Sequence, residues 1–239
     1  MSTFSTVLDR LLRADPGRPL VTFYDESTGE RVELSVATYA NWVAKASSLL
    51  VEEHDLERGM RLRIDLPAHW LGTVFLGAAW RVGLVVTDDD APDAVVCGPD
   101  SVEAWAGRAA ELPVLACSLL PLGVRFADPL PAGVHDVGVE VWSQPDSFAP
   151  WDPPADDDPA VALGDLVLAQ AELWDPPAAP VTDGGGRVLS EANPASPPGL
   201  PSFTEPLRDG GSVVLVVHAG AERLEAIAAS ERVTRRFPA

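Results

Sequence analysis

The stretch Leu56–Val86, LERGMRLRIDLPAHWLGTVFLGAAWRVGLVV, carries most of the information about the fold. Arg61 to Leu66 alternates polar and apolar side chains, the period of a strand with one buried face. From Pro67 the chain is apolar almost all round, as in a buried helix opened by that proline. Gly83 interrupts it, and Leu84 to Thr87 resumes as an apolar strand. The run from Ala68 to Val86 is long enough to span a bilayer, but His69, Arg81 and Gly83 lie inside it. A buried helix running into a buried strand explains it without a membrane.

Similar elements lie on both sides. Leu20 to Tyr24 and Arg31 to Leu34 read as short strands about the turn Asp25 to Glu30. Ser35 then caps a helix from Val36 to Glu53, with Tyr39, Val43, Ala46, Leu49 and Leu50 spaced to face a core. Downstream come a strand from Asp93 to Cys97, a helix from Ser101 to Leu112 and a strand from Pro113 to Cys117. Strands alternating with helices imply right-handed crossovers, hence an α/β protein of three layers, α/β/α, with a mainly parallel sheet.

Composition shifts after Gln144. Pro145 to Pro159, PDSFAPWDPPADDDP, reads as a surface loop. Ala160 to Leu173 is apolar enough for a helix, and Asp175 to Pro180 breaks the chain again. Beyond the turn Gly184 to Gly186 lie a strand from Arg187 to Ser190 and a segment, Leu200 to Leu207, that Pro206 limits to one helical turn. An apolar strand from Ser212 to Val217 follows, then a helix from Ala221 to Ser230 whose Glu222, Arg223 and Glu225 face water. The chain divides as a single α/β domain over 1–239: a first βα block 1–144, a Pro/Asp-rich linker region 145–185 with one helix, and a second βα block 186–239.

The 239 residues carry a net charge of −19, and sixteen of the seventeen cations are arginine, Lys45 being the exception. Such a surface excludes a nucleic-acid interface and a polybasic membrane patch, both of which need clustered cations. No apolar targeting segment opens the chain, and two cysteines, Cys97 and Cys117, make no disulfide framework. A cytoplasmic protein is expected, with both thiols reduced and buried at strand ends.

The usual signatures of chemistry are missing. His54, His69, His135 and His218 do not pair at metal-ligand spacing with each other or with a cysteine, and no G-x-S-x-G elbow occurs. Asp88–Asp90 and Asp156–Asp158 are contiguous and flanked by prolines, which favours solvated turns over a cation loop. Trp42, Trp70, Trp80 and Trp105 fall on expected helices, where core packing accounts for them.

In order and spacing these elements resemble the N-terminal part of the adenylate-forming superfamily: acyl-CoA synthetases, peptide-synthetase adenylation domains and luciferases. VELSVATYANWVAKASSLL and LERGMRLRIDLPAHWLGTVFLGAAWRVGLVV carry one half of the likeness, and the segments of Arg187 to Thr234 carry the other. The closest likeness is to short, acidic, lysine-poor bacterial proteins of this type. The resemblance implies an ATP phosphate loop of the form SGTTGxPKG just after Asp158 to Leu163, but Gly164-Asp165-Leu166 stands there instead. The Ser/Thr/Gly cradle and its lysine are absent, and Asp165 would repel phosphate. The Gly184–Gly186 triplet aligns with the turn before RVLS, so a surface turn is its expected role. Asn193 to Pro197 replaces the family's histidine segment, and no counterpart of the C-terminal lobe with its catalytic lysine follows the ERVT helix. Lys45, mid-helix, is expected to be a solvated residue rather than a substitute.

The resemblance therefore points to a non-catalytic remnant of an AMP-dependent synthetase/ligase-like protein in a binding or assembly role. The alternative is an acyl-CoA synthetase-like module that still binds a nucleotide or acyl group in the residual cleft. No catalytic, cofactor-binding or metal residue is assigned, and no cofactor is implied. The expected partner is a second copy of the chain or another protein. Leu200 to Leu207 and Val213 to Val217 are expected on an uncovered apolar face, unless the loops Pro145 to Pro159 and Asn193 to Pro201 fold back over it.

Overall fold

A computed structural model describes residues 3–174 and 185–237. It opens with α1 (Phe4–Ala14), whose Phe4, Val7, Leu8 and Leu11 form a buried stripe at helical spacing. β1 (Pro19–Asp25) and β2 (Glu30–Ser35) form a hairpin leading into α2 (Val36–Ser48). The Ser35 hydroxyl accepts from the Thr38 N–H at 3.1 Å, as the expected cap should, and α2 continues as a π-helical turn, Leu49–Glu53. Next come β3 (Arg61–Asp65), α3 (Trp70–Val82), β4 (Val85–Thr87) and β5 (Ala94–Cys97). After α4 (Val102–Ala106), β6 (Val114–Ala116), β7 (Val134–Asp136) and α5 (Val137–Glu140), a loop leads to β8 (Pro159–Leu163) and β9 (Leu166–Ala169). The chain closes with β10 (Arg187–Ser190), α6 (Pro201–Arg208), β11 (Ser212–Val217), α7 (Ala221–Ser230) and β12 (Arg235–Arg236).

The α/β class and the parallel pairing are as the alternation implied, with the strands distributed over two sheets. Their orders are β12-β10-β11-β1-β2 and β7-β6-β5-β3-β4-β8-β9. Among the described strands only β1–β2 and β8–β9 pair antiparallel. The blocks inferred as 1–144 and 186–239 interleave, because β1 pairs with β11 in register Val21↔Val213 to Asp25↔Val217. Between the sheets lies the main core, where Leu8, Tyr39, Val43, Trp80, Phe203 and Leu215 meet. The outer face of the smaller sheet packs Val214 and Val216 against Ile227 of α7, and that of the larger packs Val95 and Cys97 against Val102 and Trp105 of α4.

Several expectations are corrected. Ala160–Leu173 is not a helix but the β8–β9 hairpin, whose turn falls at Gly164-Asp165, so region 145–185 contributes strands to the larger sheet. α3 starts at Trp70, not Pro67, because His69 is extended and its Nδ1 accepts from the Leu71 N–H at 3.2 Å. The helix expected from Ser101 to Leu112 ends at Ala106 and dissolves into turns. Pro206 sits inside an eight-residue helix rather than limiting it to one turn. So late in a short helix its missing N–H forfeits a single bond, to the carbonyl of Ser202. Residues 118–144, to which the sequence assigned no element, hold β7 and α5. Asp175–Pro180 and Gly184 lie outside the described residues.

The face expected to be uncovered is not. β11 runs between β1 and β10, and Val213, Leu215, Phe203 and Leu207 are fully buried. Both loops do fold back, although onto other elements. Arg81 donates to the Phe148 carbonyl at 2.6 Å, Arg58 pairs with Asp152 and Asp158 at 3.1 and 2.6 Å, and Asn193 donates to the Leu66 carbonyl at 2.8 Å. Lys45, expected to be solvated, is mostly buried and bonds the Gln144 carbonyl and, at 3.1 Å, Asp146. No described helix is long and apolar enough to cross a membrane.

Candidate functional site

In sheets of this kind chemistry gathers beyond the carboxyl ends of the strands, so the hairpin that follows β4 in the larger sheet is the first place to look. β8 and β9 pair from Val161↔Leu168 to Leu163↔Leu166, which leaves only Gly164 and Asp165 to connect them. Gly164 takes φ 55°, the left-handed conformation such two-residue turns need. Its N–H donates to Asp88 Oδ1 at 3.0 Å, so the donor nearest the turn is already taken by a carboxylate. An anion cradle needs several convergent N–H groups. Two residues, one exposed and acidic, do not supply them.

Three carboxylates of the two acidic triplets are held by arginines. Asp89 meets Arg61 at 2.9 Å, Asp90 meets Arg63 at 3.1 Å, and the Arg58 hydrogen bond holds the Asp158 carboxyl below its ordinary range. At the carboxyl edge of the smaller sheet, His218 Nδ1 lies 2.9 Å from Asp25 Oδ1. Nearby, His69 Nε2 is buried without a hydrogen-bond partner, and burial and then Asp25 raise the Glu30 carboxyl pKa against a hydrogen bond from Trp70. Burial pushes the His69 imidazole down to about 4 against the pull of Asp25, so it is neutral. Burial raises the Cys117 thiol well above its ordinary value and Cys97 to about 12, and both are free. Trp70 and Trp80 are core residues, and Trp105 donates to Asp65 Oδ2 at 2.7 Å.

One convergence was invisible in the sequence. His54 follows the π-helical turn after α2, His135 is central in β7, and Glu140 ends α5. Glu140 Oε2 lies 3.2 Å from His54 Nε2 and Oε1 lies 2.9 Å from His135 Nδ1. The imidazoles meet edge to face at 4.4 Å between centroids. Burial, and then His135, lower the His54 pKa, with Glu140 and Glu53 opposing. Histidines that do not pair along the chain are therefore paired by the sheet, because His54 stands 86 positions from Glu140.

No family model matches this sequence. A protein of Mycobacterium tuberculosis (strain ATCC 25618 / H37Rv) described as a TIGR03089 family protein is 37% identical over 237 residues, spanning 96% of this chain and 95% of its own. The chain belongs to the TIGR03089 family. This TIGR03089 chain also shares its fold with solved ligases. Coronafacic acid ligase from Pectobacterium brasiliense superposes with a TM-score of 0.75 at 16% identity over 99% of the chain. An acyl-CoA synthetase of Brucella canis gives 0.76 at 17% over 98%, and a benzoate CoA ligase from Burkholderia xenovorans LB400 gives 0.76 at 17% over 99%. The chain spans 49%, 47% and 50% of those three proteins. It thus has the fold of adenylate-forming ligases over about half their length, as the resemblance to their N-terminal part implied.

Proposed function

We propose that this chain is a non-catalytic relative of the AMP-dependent synthetases/ligases, working in the cytoplasm as a binding or assembly protein. The observation that carries the reading is the Leu163↔Leu166 register, which reduces the phosphate-loop position to a two-residue turn. Binding and release of ATP phosphates have nothing there to act through. Exposed apolar side chains supply a binding surface: Leu122, Val124, Val139 and Trp142. The Trp142 ring meets that of Trp42 at 5.3 Å, and Gly138 seats against the backbone of Val124. A second copy of the chain is the proposed occupant, since symmetric pairing is the commonest way one gene product covers such a patch.

The test joins ATP–pyrophosphate exchange to sedimentation equilibrium. Exchange should stay at the blank level with every carboxylic acid tried, while the mass exceeds 25.3 kDa and returns to it in Trp142→Glu. Acid-dependent exchange that follows the protein through successive columns refutes the non-catalytic reading, and a concentration-independent 25.3 kDa refutes the pairing. A second reading, binding of an acyl group, rests on a depression of about 370 Å³ at the amino ends of β3 and β4, where Val51, Leu56, Val82 and Phe148 line it beside the charged Arg58 and Asp152. Thermal stabilisation by an acyl-CoA but not by ATP would favour it.

A further inference from the structure

We propose that His54, His135 and Glu140 form a binding site for one divalent transition-metal ion, with zinc the expected occupant. Each of the three side chains offers one donor atom, and these atoms all lie within 4.8 Å of one another. In a tetrahedral zinc site with bonds of about 2.0–2.1 Å the donors stand roughly 3.4 Å apart. Glu140 spans the two rings, Oε2 at 3.2 Å from His54 Nε2 and Oε1 at 2.9 Å from His135 Nδ1, so an ion between them need only draw donors that stand within 4.8 Å inward to that spacing. Two imidazoles and one carboxylate, leaving a position open to water, suit zinc, cobalt or nickel. Calcium and magnesium demand oxygen ligands and are disfavoured.

The ligands come from two parts of the fold, His54 from the end of the helix α2 and His135 with Glu140 from the consecutive elements β7 and α5. The His54 side chain is 3% exposed, whereas His135 and Glu140 are 40% and 29% exposed, so an ion has a buried anchor and an open approach. Glu140 is held on a single turn whose start is capped by Asp136, which accepts from the Gly138 N–H at 2.9 Å. Behind His54, Glu53 Oε1 accepts from Gln144 Nε2 at 3.1 Å, adding a second fixed carboxylate to the surroundings of a cation. The π-helical turn Leu49–Glu53 and the left-handed Asp55, φ 53°, bracket His54 on either side. Irregularities of this kind are frequent at functional sites. In the metal-free protein Glu140 holds the two rings by hydrogen bonds, and the ion replaces those bonds with coordination from the same nitrogen and oxygen atoms. Bound there, it would tie the end of α2 to the outer strand β7, next to Val139 and Trp142.

The test is calorimetric titration of the chelator-treated full chain with Zn²⁺, and with Co²⁺ followed by visible absorption. One ion per chain is expected, with the intense d–d bands of four- or five-coordinate cobalt. His135→Ala and Glu140→Gln, both on partly exposed side chains, should each weaken binding at least about tenfold while leaving the circular dichroism unchanged. His218→Ala, exposed and paired with Asp25 elsewhere, should bind like the parent. No saturable binding of either ion at micromolar concentration overturns the proposal. So does binding that survives both ligand substitutions, which would mean adventitious capture by the acidic surface. If one variant loses its fold, the other and the cobalt spectrum of the parent still decide the question.

Discussion

Gly77→Ala tests the packing of α3 against α1 and α2. Gly77 lies in the middle of α3, where a Cβ would stand well inside contact distance of Tyr39 Oη, 2.8 Å from Phe4 Cζ and 2.9 Å from Val43 Cγ2. Tyr39 has no room to yield. It is fully buried, packs edge-on against Phe203 at 6.0 Å and donates its hydroxyl to the Thr73 carbonyl at 2.8 Å. The added methyl must either break that bond, costing about 1–3 kcal/mol for a buried unsatisfied group, or overpack the crossing at a similar cost. Against this stands a gain of about 1 kcal/mol in helix propensity. Three contacts under 3.0 Å put the cost in the upper part of its range, about 2–3 kcal/mol, so the net loss is about 1–2 kcal/mol, and at about 2–4 °C per kcal/mol for a chain of this size Tm should fall by roughly 5 °C. Gly72→Ala is the control. It lies on the same helix with nothing within 4 Å of its Cβ, so the same substitution should leave Tm unchanged or raise it slightly. Tyr39→Phe should recover part of the Gly77→Ala loss, since neighbouring substitutions couple. Thermal unfolding followed by circular dichroism measures all four proteins. A Gly77→Ala protein as stable as its parent, or a loss that Tyr39→Phe does not touch, would refute the reasoning.

Acid should weaken the smaller sheet through Glu231. Burial pushes its carboxyl up, but hydrogen bonds from Tyr24, Arg31 and Arg187 outweigh that and bring it from 4.5 down to about 2. A depressed folded pKa gives stability that is present above pH 4.5 and lost as pH falls toward 2, so urea midpoints should drop over that window and Glu231→Gln should flatten the drop. The thiols should be inert: a native-state thiol reagent should label neither Cys97 nor Cys117 within minutes, and denaturant should release both.

What the sequence disclosed followed from local periodicity. Arg61–Asp65 alternates and is buried in alternation, Ser35 caps where a serine before a helical stripe should, and Ser212–Val217 is an apolar run buried on both faces. The misreading of Ala160–Leu173 shows where periodicity fails. Val161, Leu163, Leu166 and Leu168 satisfy a short helix as well as two strands, and only the Gly164-Asp165 pair marks the hairpin. β7 escaped notice because Val134–Asp136 is three residues long and owes its existence to the partner strand β6. His54, His135 and Glu140 had no signal at all, because β7 and the end of α2 become neighbours only once the larger sheet is assembled.

The β8–β9 hairpin also shows how a ligase fold accommodates a connection of only two residues at this position. A strand is held by its register with its neighbours, and β8 keeps Val86↔Val161 and Thr87↔Ala162 with β4 whatever connects it to β9. The loop beyond the carboxyl end contributes donors for a ligand but little to that pairing, so it can shrink to two residues while the sheet stays intact. Stability and chemistry are thus separable at this position, and likeness of fold to the solved ligases carries no weight about activity. The groups that do need a functional explanation are those that packing leaves over. A buried imidazole held against a carboxylate and a second imidazole, on elements that share no strand pairing, is the clearest of them in this molecule.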